Sequence, residues 1–292
     1  MSFAVTPKTK GDEDKVAQAL RRLHEEDPTL QLRRDPQTGE QLLSGMSQVH
    51  VEVAVGRLKT RFGVEVELHQ PRVPYVETIK GEARAQGRYK KQTGGRGQFG
   101  DCVIEIEPLE GHVGYEFVDK IVGGVIPQGF RGAVDKGIQE SMLKGELAGF
   151  PVVGVGIRLV DGSYHNVDSS EMAFKIAGSL AFREAYAKAD PVMLEPVMAV
   201  EISVPDEAVG DITGDLNSRR GRLLGIEPRG SATTVRAEVP MAEMLTYSQS
   251  ITSMTGGRGD YHMTFLRYED CPTHVAQKII EQVKKEREEA KV

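Results

Sequence analysis

Two short segments carry the residue types that could do chemistry. The first is Tyr89-Lys90-Lys91-Gln92-Thr93-Gly94-Gly95-Arg96-Gly97-Gln98-Phe99-Gly100, with four glycines in the seven positions from 94 to 100. Between 82 and 96, Arg84, Arg88, Lys90, Lys91 and Arg96 stand against the single acid Glu82. Glycine buries no side chain and leaves backbone N–H groups accessible, while guanidinium and ammonium groups match phosphate oxygens. The chemistry implied is recognition of nucleic acid. The plainer alternative is a solvated hairpin tip rich in turn glycine, and composition does not separate the two.

The second segment, Asp161-Gly162-Ser163-Tyr164-His165-Asn166-Val167-Asp168-Ser169-Ser170, crowds hydroxyls, an imidazole and carboxylates into one connection. A Ser/His/Asp machine needs its members to converge from separate segments, so the crowding argues against a hydrolase. His165 and Asp168 have no clear third and fourth ligands, and the seven histidines are scattered, so no metal site is expected. No catalytic residue is assigned. No glycine is followed directly by lysine, which removes the phosphate loop Gly-x-x-x-x-Gly-Lys-Ser/Thr. Neither Asn166 nor Asn217 precedes lysine, so the guanine-reading Asn-Lys-x-Asp pattern is missing too. GTP chemistry by that route lies outside this sequence.

The elements that must hold these segments follow from periodicity. Residues 2 to 6 read as a strand and 12 to 26 as a helix with Val16, Leu20 and Leu23 on one face, closed by Asp27-Pro28. Strands at about 29 to 34 and 40 to 45 are joined by Asp35-Pro36-Gln37-Thr38-Gly39, which is turn chemistry and predicts a hairpin. From 49 to 62 the valines alternate like a strand, yet Val51, Val55, Leu58 and Phe62 fall at helical spacing, and the helix is chosen. A strand at 64 to 68 completes a βαββαβ order, a small sheet with two helices on one face. The same order recurs as a strand at 198 to 204, a helix at 206 to 219, strands at 221 to 228 and 232 to 239, a helix at 241 to 254 and a strand at 260 to 268. The tail from 272 to 290 reads as an amphipathic helix with Val275, Ile279, Ile280 and Val283 on one side, expected to pack on a neighbouring domain.

Between the repeats lies a middle domain with strands at 102 to 107 and 152 to 160 and helices at 127 to 145 and 171 to 189. The second helix is expected to be buried and to be capped by Asp168, with Glu171 three residues later as reciprocal partner. The resulting fold class is α+β, divided as 1–71, 72–194, 195–270 and a helix at 271–292.

The whole chain bounds the partners. At 292 residues it is long enough for two or three cores. Its 39% hydrophobic and 27% charged residues fit a soluble globular protein. Charges from Lys8 to Asp14 interrupt the N-terminus before a signal peptide could develop, and no apolar run approaches the roughly 20 residues of a membrane helix. Cys102 and Cys271 lack metal-ligand spacing and cannot make a disulfide framework, which points to a reducing cytoplasm. A net charge of −6 excludes a general nucleic-acid coat but permits a basic patch on an acidic body.

At these same segments the sequence resembles elongation factor G. The matching stretches are Lys90 to Gly100, Gly123-Gly124-Val125-Ile126-Pro127, Ala133-Val134-Asp135-Lys136-Gly137-Ile138-Gln139-Glu140, Asp161-Gly162-Ser163-Tyr164-His165 and Val167 to Phe174. Similarity also runs from Glu25-Glu26-Asp27-Pro28 through Leu216-Asn217-Ser218-Arg219-Arg220-Gly221 to Tyr247. Several long motifs in order over nearly the whole chain make the resemblance specific. It implies family domains III, IV and V: two ferredoxin-like βαββαβ domains flanking a domain with a ribosomal protein S5 domain 2-like core, followed by the C-terminal helix. It further implies that both loops meet at the tip of domain IV, beside transfer RNA and messenger RNA in the decoding region of the small ribosomal subunit. The corresponding contact residues here are Lys90, Lys91, Gln92, Thr93, Gly94, Gly95, Arg96, Gly97, Gln98, Ser163, Tyr164, His165 and Asn166.

The implied role is steric and electrostatic support of tRNA–mRNA translocation, with domain V meeting the factor-binding centre of the large subunit. The ribosome, tRNA and mRNA are the expected partners of a cytoplasmic monomer. No cofactor is expected in this chain; GTP and magnesium belong to a GTPase domain outside it. The start at Met1-Ser2, followed at once by a strand, is read as a cut at a domain boundary, with a natural short protein as the alternative. Two departures point to a paralogue: Gly45-Met46-Ser47-Gln48-Val49-His50-Val51-Glu52 lacks the family's carboxylate at 48, and Phe130-Arg131-Gly132 replaces a Tyr-Ile-Pro-like stretch. The alternative reading is a free-standing RNA-binding or ribosome-binding regulator or rescue factor without GTPase coupling.

Overall fold

The computed structural model describes all residues except 10, 93–96, 113, 231 and 290–292. The chain forms two compact units, Met1–Pro74 with Pro196–Arg267, and Tyr75–Glu195 with Tyr268–Val292.

The first part of unit one runs β1 (Ser2–Pro7), α1 (Glu13–Glu26), β2 (Gln31–Arg34), β3 (Gln41–Ser44), α2 (Gln48–Phe62) and β4 (Val66–His69). On α1 the buried Val16, Ala19, Leu20 and Leu23 follow the helical repeat. The β2–β3 hairpin closes as expected: the Asp35 carboxylate accepts the N–H groups of Gln37 and Thr38 at 2.9 and 2.8 Å, and Gly39 takes φ +72°. The ambiguous valine run is helix because its ends are specified. Ser47 Oγ accepts the His50 N–H at 3.1 Å, Gly63 supplies the left-handed C-terminal residue, and Val51, Ala54 and Leu58 face the core. Sheet order is β2-β3-β1-β4, antiparallel throughout, which is the ferredoxin-like arrangement.

Unit two begins with β5 (Val76–Ile79), β6 (Ala83–Lys91), β7 (Gln98–Pro108) and β8 (Tyr115–Asp119). It continues with α3 (Gln128–Met142), β9 (Val155–Ser163) and α4 (Glu171–Lys188). A long strand, β10 (Pro191–Val204), then leads back; its residues 191–194 pair with β5. The sheet order β6-β7-β9-β8 is antiparallel except for the parallel β8–β9 pair. Helix α4 supplies Phe174, Phe182 and Tyr186 to the core with Ile104, Ile106, Val134, Ile138 and Leu159. Its capping residue is Ser170, whose Oγ accepts the Ala173 N–H at 3.2 Å, and not Asp168. Asp168 lies two residues too early, and its carboxylate is taken by the neighbouring hairpin. Strands β5, β6 and β8 are additional to the sequence reading. Strand β6 escapes it because its inward positions are the small Ala85 and Gly87, which give no hydrophobic alternation.

A buried carboxylate ties this unit together. Glu77, fully buried on β5, accepts through Oε1 the N–H groups of Ala148, Gly149 and Phe150 at 2.8, 2.7 and 3.0 Å. Its Oε2 accepts the Leu147 N–H at 3.1 Å and the Tyr186 hydroxyl at 2.6 Å. Buried charge is tolerated when every lone pair is engaged in this way.

The second part of unit one adds α5 (Val209–Ser218), β11 (Arg222–Arg229), β12 (Ala232–Pro240), α6 (Met241–Met244), α7 (Tyr247–Thr255) and β13 (Asp260–Asp270). The order β11-β12-β10-β13 repeats the ferredoxin-like pattern. The helix expected over 241 to 254 is broken at Leu245 and Thr246. The Glu243 carbonyl, which would meet the Tyr247 amide in a continuous helix, accepts Nη1 of Arg219 at 2.7 Å. In unit two, α8 (Thr273–Glu289) half-buries Val275, Ile279, Ile280 and Val283 while its lysines stay exposed.

Candidate nucleic-acid interface

The basic glycine-rich segment is a hairpin, not an independent loop. β6 and β7 pair from Ala83↔Ile106 to Lys91↔Gln98, and the connection spans residues 92 to 97. Thr93, Gly94, Gly95 and Arg96 lie outside the described residues. The glycines beside them have packing duties. A Cβ on Gly87 would sit 2.0 Å from the Ala177 carbonyl oxygen and 2.4 Å from the Ala181 nitrogen, and one on Gly100 would sit 2.4 Å from the Ala173 oxygen. The hairpin therefore lies backbone against backbone on α4, which only glycine permits.

Strand alternation then sends the charges outward. Arg88, Lys90 and Lys91 are exposed, and among the described residues none has a carboxylate within 4.0 Å of its charged nitrogen. The strands are fixed to one another by Asp101, 5% exposed on β7. Its carboxylate accepts Gln86 Nε2 from β6 and the Ser163 hydroxyl from β9, each at 2.7 Å. Burial, followed by the charge of Asp101, pushes the neighbouring Cys102 thiol up to about 12.

The Ser163–Ser170 connection folds back onto the hairpin. The Phe99 N–H donates to the Asp168 carbonyl at 2.9 Å, and the Gly97 N–H donates to Asp168 Oδ1 at 3.1 Å. Within the loop, the His165 N–H donates to Ser169 Oγ at 2.9 Å. Nδ1 of His165 accepts the N–H groups of Val167 and Asp168 at 3.3 and 3.2 Å. The same nitrogen lies 3.4 Å from Asp168 Oδ2, which would be an ion pair only if Nδ1 carried a proton. With two backbone N–H groups directed at it, Nδ1 serves the loop as an acceptor, and the imidazole is 56% exposed. Ser169 and His165 are thus engaged in loop geometry, and among the described residues no serine hydroxyl is hydrogen-bonded to the imidazole ring.

Arg88 lies 5.5 Å above the Phe99 ring, which tilts against His165 at 6.5 Å. Arg88, Lys90, Lys91, Gln92, Gly97, Gln98, Phe99, His165 and Asp168 line an open cleft of about 280 Å³. Of the residues expected from the sequence, Lys90, Lys91, Gln92, Gly97, Gln98 and His165 are brought together here. Tyr164 and Asn166 are exposed on the adjoining loop, while Ser163 is turned in to Asp101. Arg88 and Phe99 join the cleft from outside the set of expected contacts. The period-2 pattern running back from Lys90 is the signal that points to Arg88. Among the described residues no group of three or more His, Cys, Asp or Glu side chains is arranged to hold a metal.

Family comparisons partition the chain in the same order. Elongation factor G domain III matches residues 1–70, elongation factor G domain IV matches 71–190, and elongation factor G C-terminus matches 192–279. Elongation factor G from Aquifex pyrophilus is 51% identical over 281 residues, covering 96% of this chain and 40% of that protein. A crystal structure of a protein from Thermus thermophilus superposes with a TM-score of 0.87 at 47% identity, covering 98% of this chain and 43% of that one. The chain thus spans about two fifths of the length of these relatives.

Proposed function

The chain belongs to the elongation factor G family, and we propose that it is the ribosome-engaging portion of a translational GTPase in the cytoplasm. In this reading 1–71 acts as domain III, 72–194 as domain IV and 195–270 as domain V, followed by the C-terminal helix 271–292. The hairpin and the His165 loop form a tip that enters the small-subunit decoding region and supports tRNA–mRNA translocation, making and breaking no covalent bond. Domain V meets the factor-binding centre of the large subunit. GTP and magnesium are used by a further domain outside residues 1–292, since this sequence has no phosphate-binding loop.

One observation carries the reading: exposed cations with no carboxylate partner among the described residues line one cleft with the exposed His165 imidazole, where Asp101 and Asp168 hydrogen-bond the hairpin to its neighbours. Electrostatic binding to RNA releases counterions, so the logarithm of affinity falls with the logarithm of salt by about 0.7 to 0.9 per neutralised phosphate. Sedimentation with 70S ribosomes across a salt series tests it. Replacing Lys90→Ala and Lys91→Ala together is expected to reduce that slope by about 1.5. An unchanged slope refutes the tip as the contact, and no binding at low salt refutes ribosome engagement by this segment.

A further inference from the structure

Topology decides which connections share an end of unit two. β9 runs antiparallel to β7 and parallel to β8, while β6 and β7 form a hairpin. The connections that follow β6, β8 and β9 therefore leave from the same end of the strands, with β6 and β8 at opposite edges of the sheet. Two of them make the tip described above. The third is the stretch from Lys120 to Pro127, between β8 and α3.

This stretch is gripped at its neck. Asp119 accepts the Ile121 N–H at 3.0 Å through Oδ1 and Arg131 Nη1 at 2.7 Å through Oδ2. The same guanidinium donates from Nε to the Ile126 carbonyl at 3.0 Å, so one side chain ties both ends of the loop. Ile126 is fully buried, and it occupies the room left by Gly162, where a Cβ would lie 2.5 Å from Ile126 Cδ1. The loop's return is thereby seated beside the residue that precedes Ser163. Beyond the neck the chain stands clear: Gly123 and Gly124 both take φ +74° with no atom within 4 Å of a Cβ position, and Val122 is 83% exposed. Lys120 is exposed, and among the described residues its ammonium has no carboxylate partner.

We infer that residues 120–125 are a third RNA-contacting element of this tip, with Lys120 meeting a phosphate, Val122 resting on an exposed base or ribose, and Arg131 as the positioning residue. The inference rests on the tip reading proposed above. RNA is favoured over a protein partner because the loop leaves from the same strand end as the connection beside Lys90 and Lys91.

Directed hydroxyl-radical probing tests this with the full chain bound to 70S ribosomes. An iron chelate is tethered through Val122→Cys or, separately, Lys91→Cys. Both variants carry Cys271→Ser, and the buried Cys102 stays unmodified. The expected result is strand cleavage from both positions within the same ribosomal RNA elements. Cleavage from position 91 alone, or cleavage of ribosomal protein but not RNA from position 122, overturns the loop inference and leaves the tip reading standing. Cleavage from neither position overturns both. Adding Arg131→Met to the Val122→Cys variant is expected to broaden the cleaved stretch at least twofold; an unchanged pattern overturns the positioning role.

Discussion

Substituting Glu77→Gln changes one atom in a site where every lone pair is engaged. An amide nitrogen in place of Oε2 would meet the Leu147 N–H at 3.1 Å as donor against donor, and it would force the Tyr186 hydroxyl to turn. One charge-assisted hydrogen bond is lost, at about 1.5 to 3 kcal/mol, and a partly buried amide is left unsatisfied at about 1 to 3 kcal/mol. The surviving oxygen no longer carries a charge toward Ala148, Gly149 and Phe150. The two losses sum to about 2.5 to 6 kcal/mol and bracket the roughly 3 to 5 kcal/mol lost when one partner of a buried charge network is removed, which is taken as the local destabilisation. At about 1.4 kcal/mol per factor of ten, backbone amide exchange in residues 147–150 should accelerate by roughly two to three and a half orders of magnitude. Exchange read by mass spectrometry, with β12 as the internal reference, measures it. An acceleration below about threefold would refute the reasoning, because it would mean that the carboxylate charge is not what holds the segment.

Removing the hydroxyl by Tyr247→Phe should cost less than about 0.5 kcal/mol or even stabilise, because that buried hydroxyl has no hydrogen-bond partner among the described residues. A loss above about 1 kcal/mol in guanidinium unfolding would contradict this. Cys102, fully buried with its thiol pushed up to about 12, should resist iodoacetamide at pH 8 until the chain is unfolded, while the half-buried Cys271 reacts first; peptide mapping distinguishes them. The Asp27 carboxyl is held down to about 2 by the Thr29 hydroxyl hydrogen bond and then by His50. A depressed folded value stabilises above the ordinary carboxylate range and loses that contribution as pH falls from about 4 toward 2. Asp27→Asn should therefore flatten the stability profile in that window, and parallel profiles for the two chains would disprove it.

The ferredoxin-like repeats are legible in the sequence because their turns and caps are local. Asp35 to Gly39 specify a hairpin, and Ser47 with Gly63 bound a helix whose valine content suggests strand. Non-local competition is not legible. Asp168 has the residue type and spacing of a cap, yet the Gly97 N–H, 71 positions away in sequence, takes its carboxylate. Arg219 breaks a helix from outside it by capturing the Glu243 carbonyl. The candidate site is half-legible for the same reason. Lysines and glycines announce a basic turn, but whether a glycine opens a loop or lets β6 touch α4 depends on a helix distant in sequence. Phe99 gives no signal of its own, because an aromatic in a glycine-rich stretch does not say that it will separate Arg88 from His165.

The backbone contact of Gly87 and Gly100 with α4 also has a mechanical meaning. Where no side chain cushions strand against helix, the two cannot slide past each other without a steric clash, so a push on the hairpin is received by the helix. Helix α4 is 18 residues long, roughly 27 Å at 1.5 Å per residue, and it starts beside the hairpin. At its far end, the Gly81 N–H donates to the Ala189 carbonyl at 2.9 Å and the Lys80 N–H to that of Asp190 at 3.2 Å. Close backbone contacts at Gly100 and Gly87 and the hydrogen bonds at Ala189 and Asp190 thus brace the β5–β6 and β7 backbone against α4 from one end of the helix to the other.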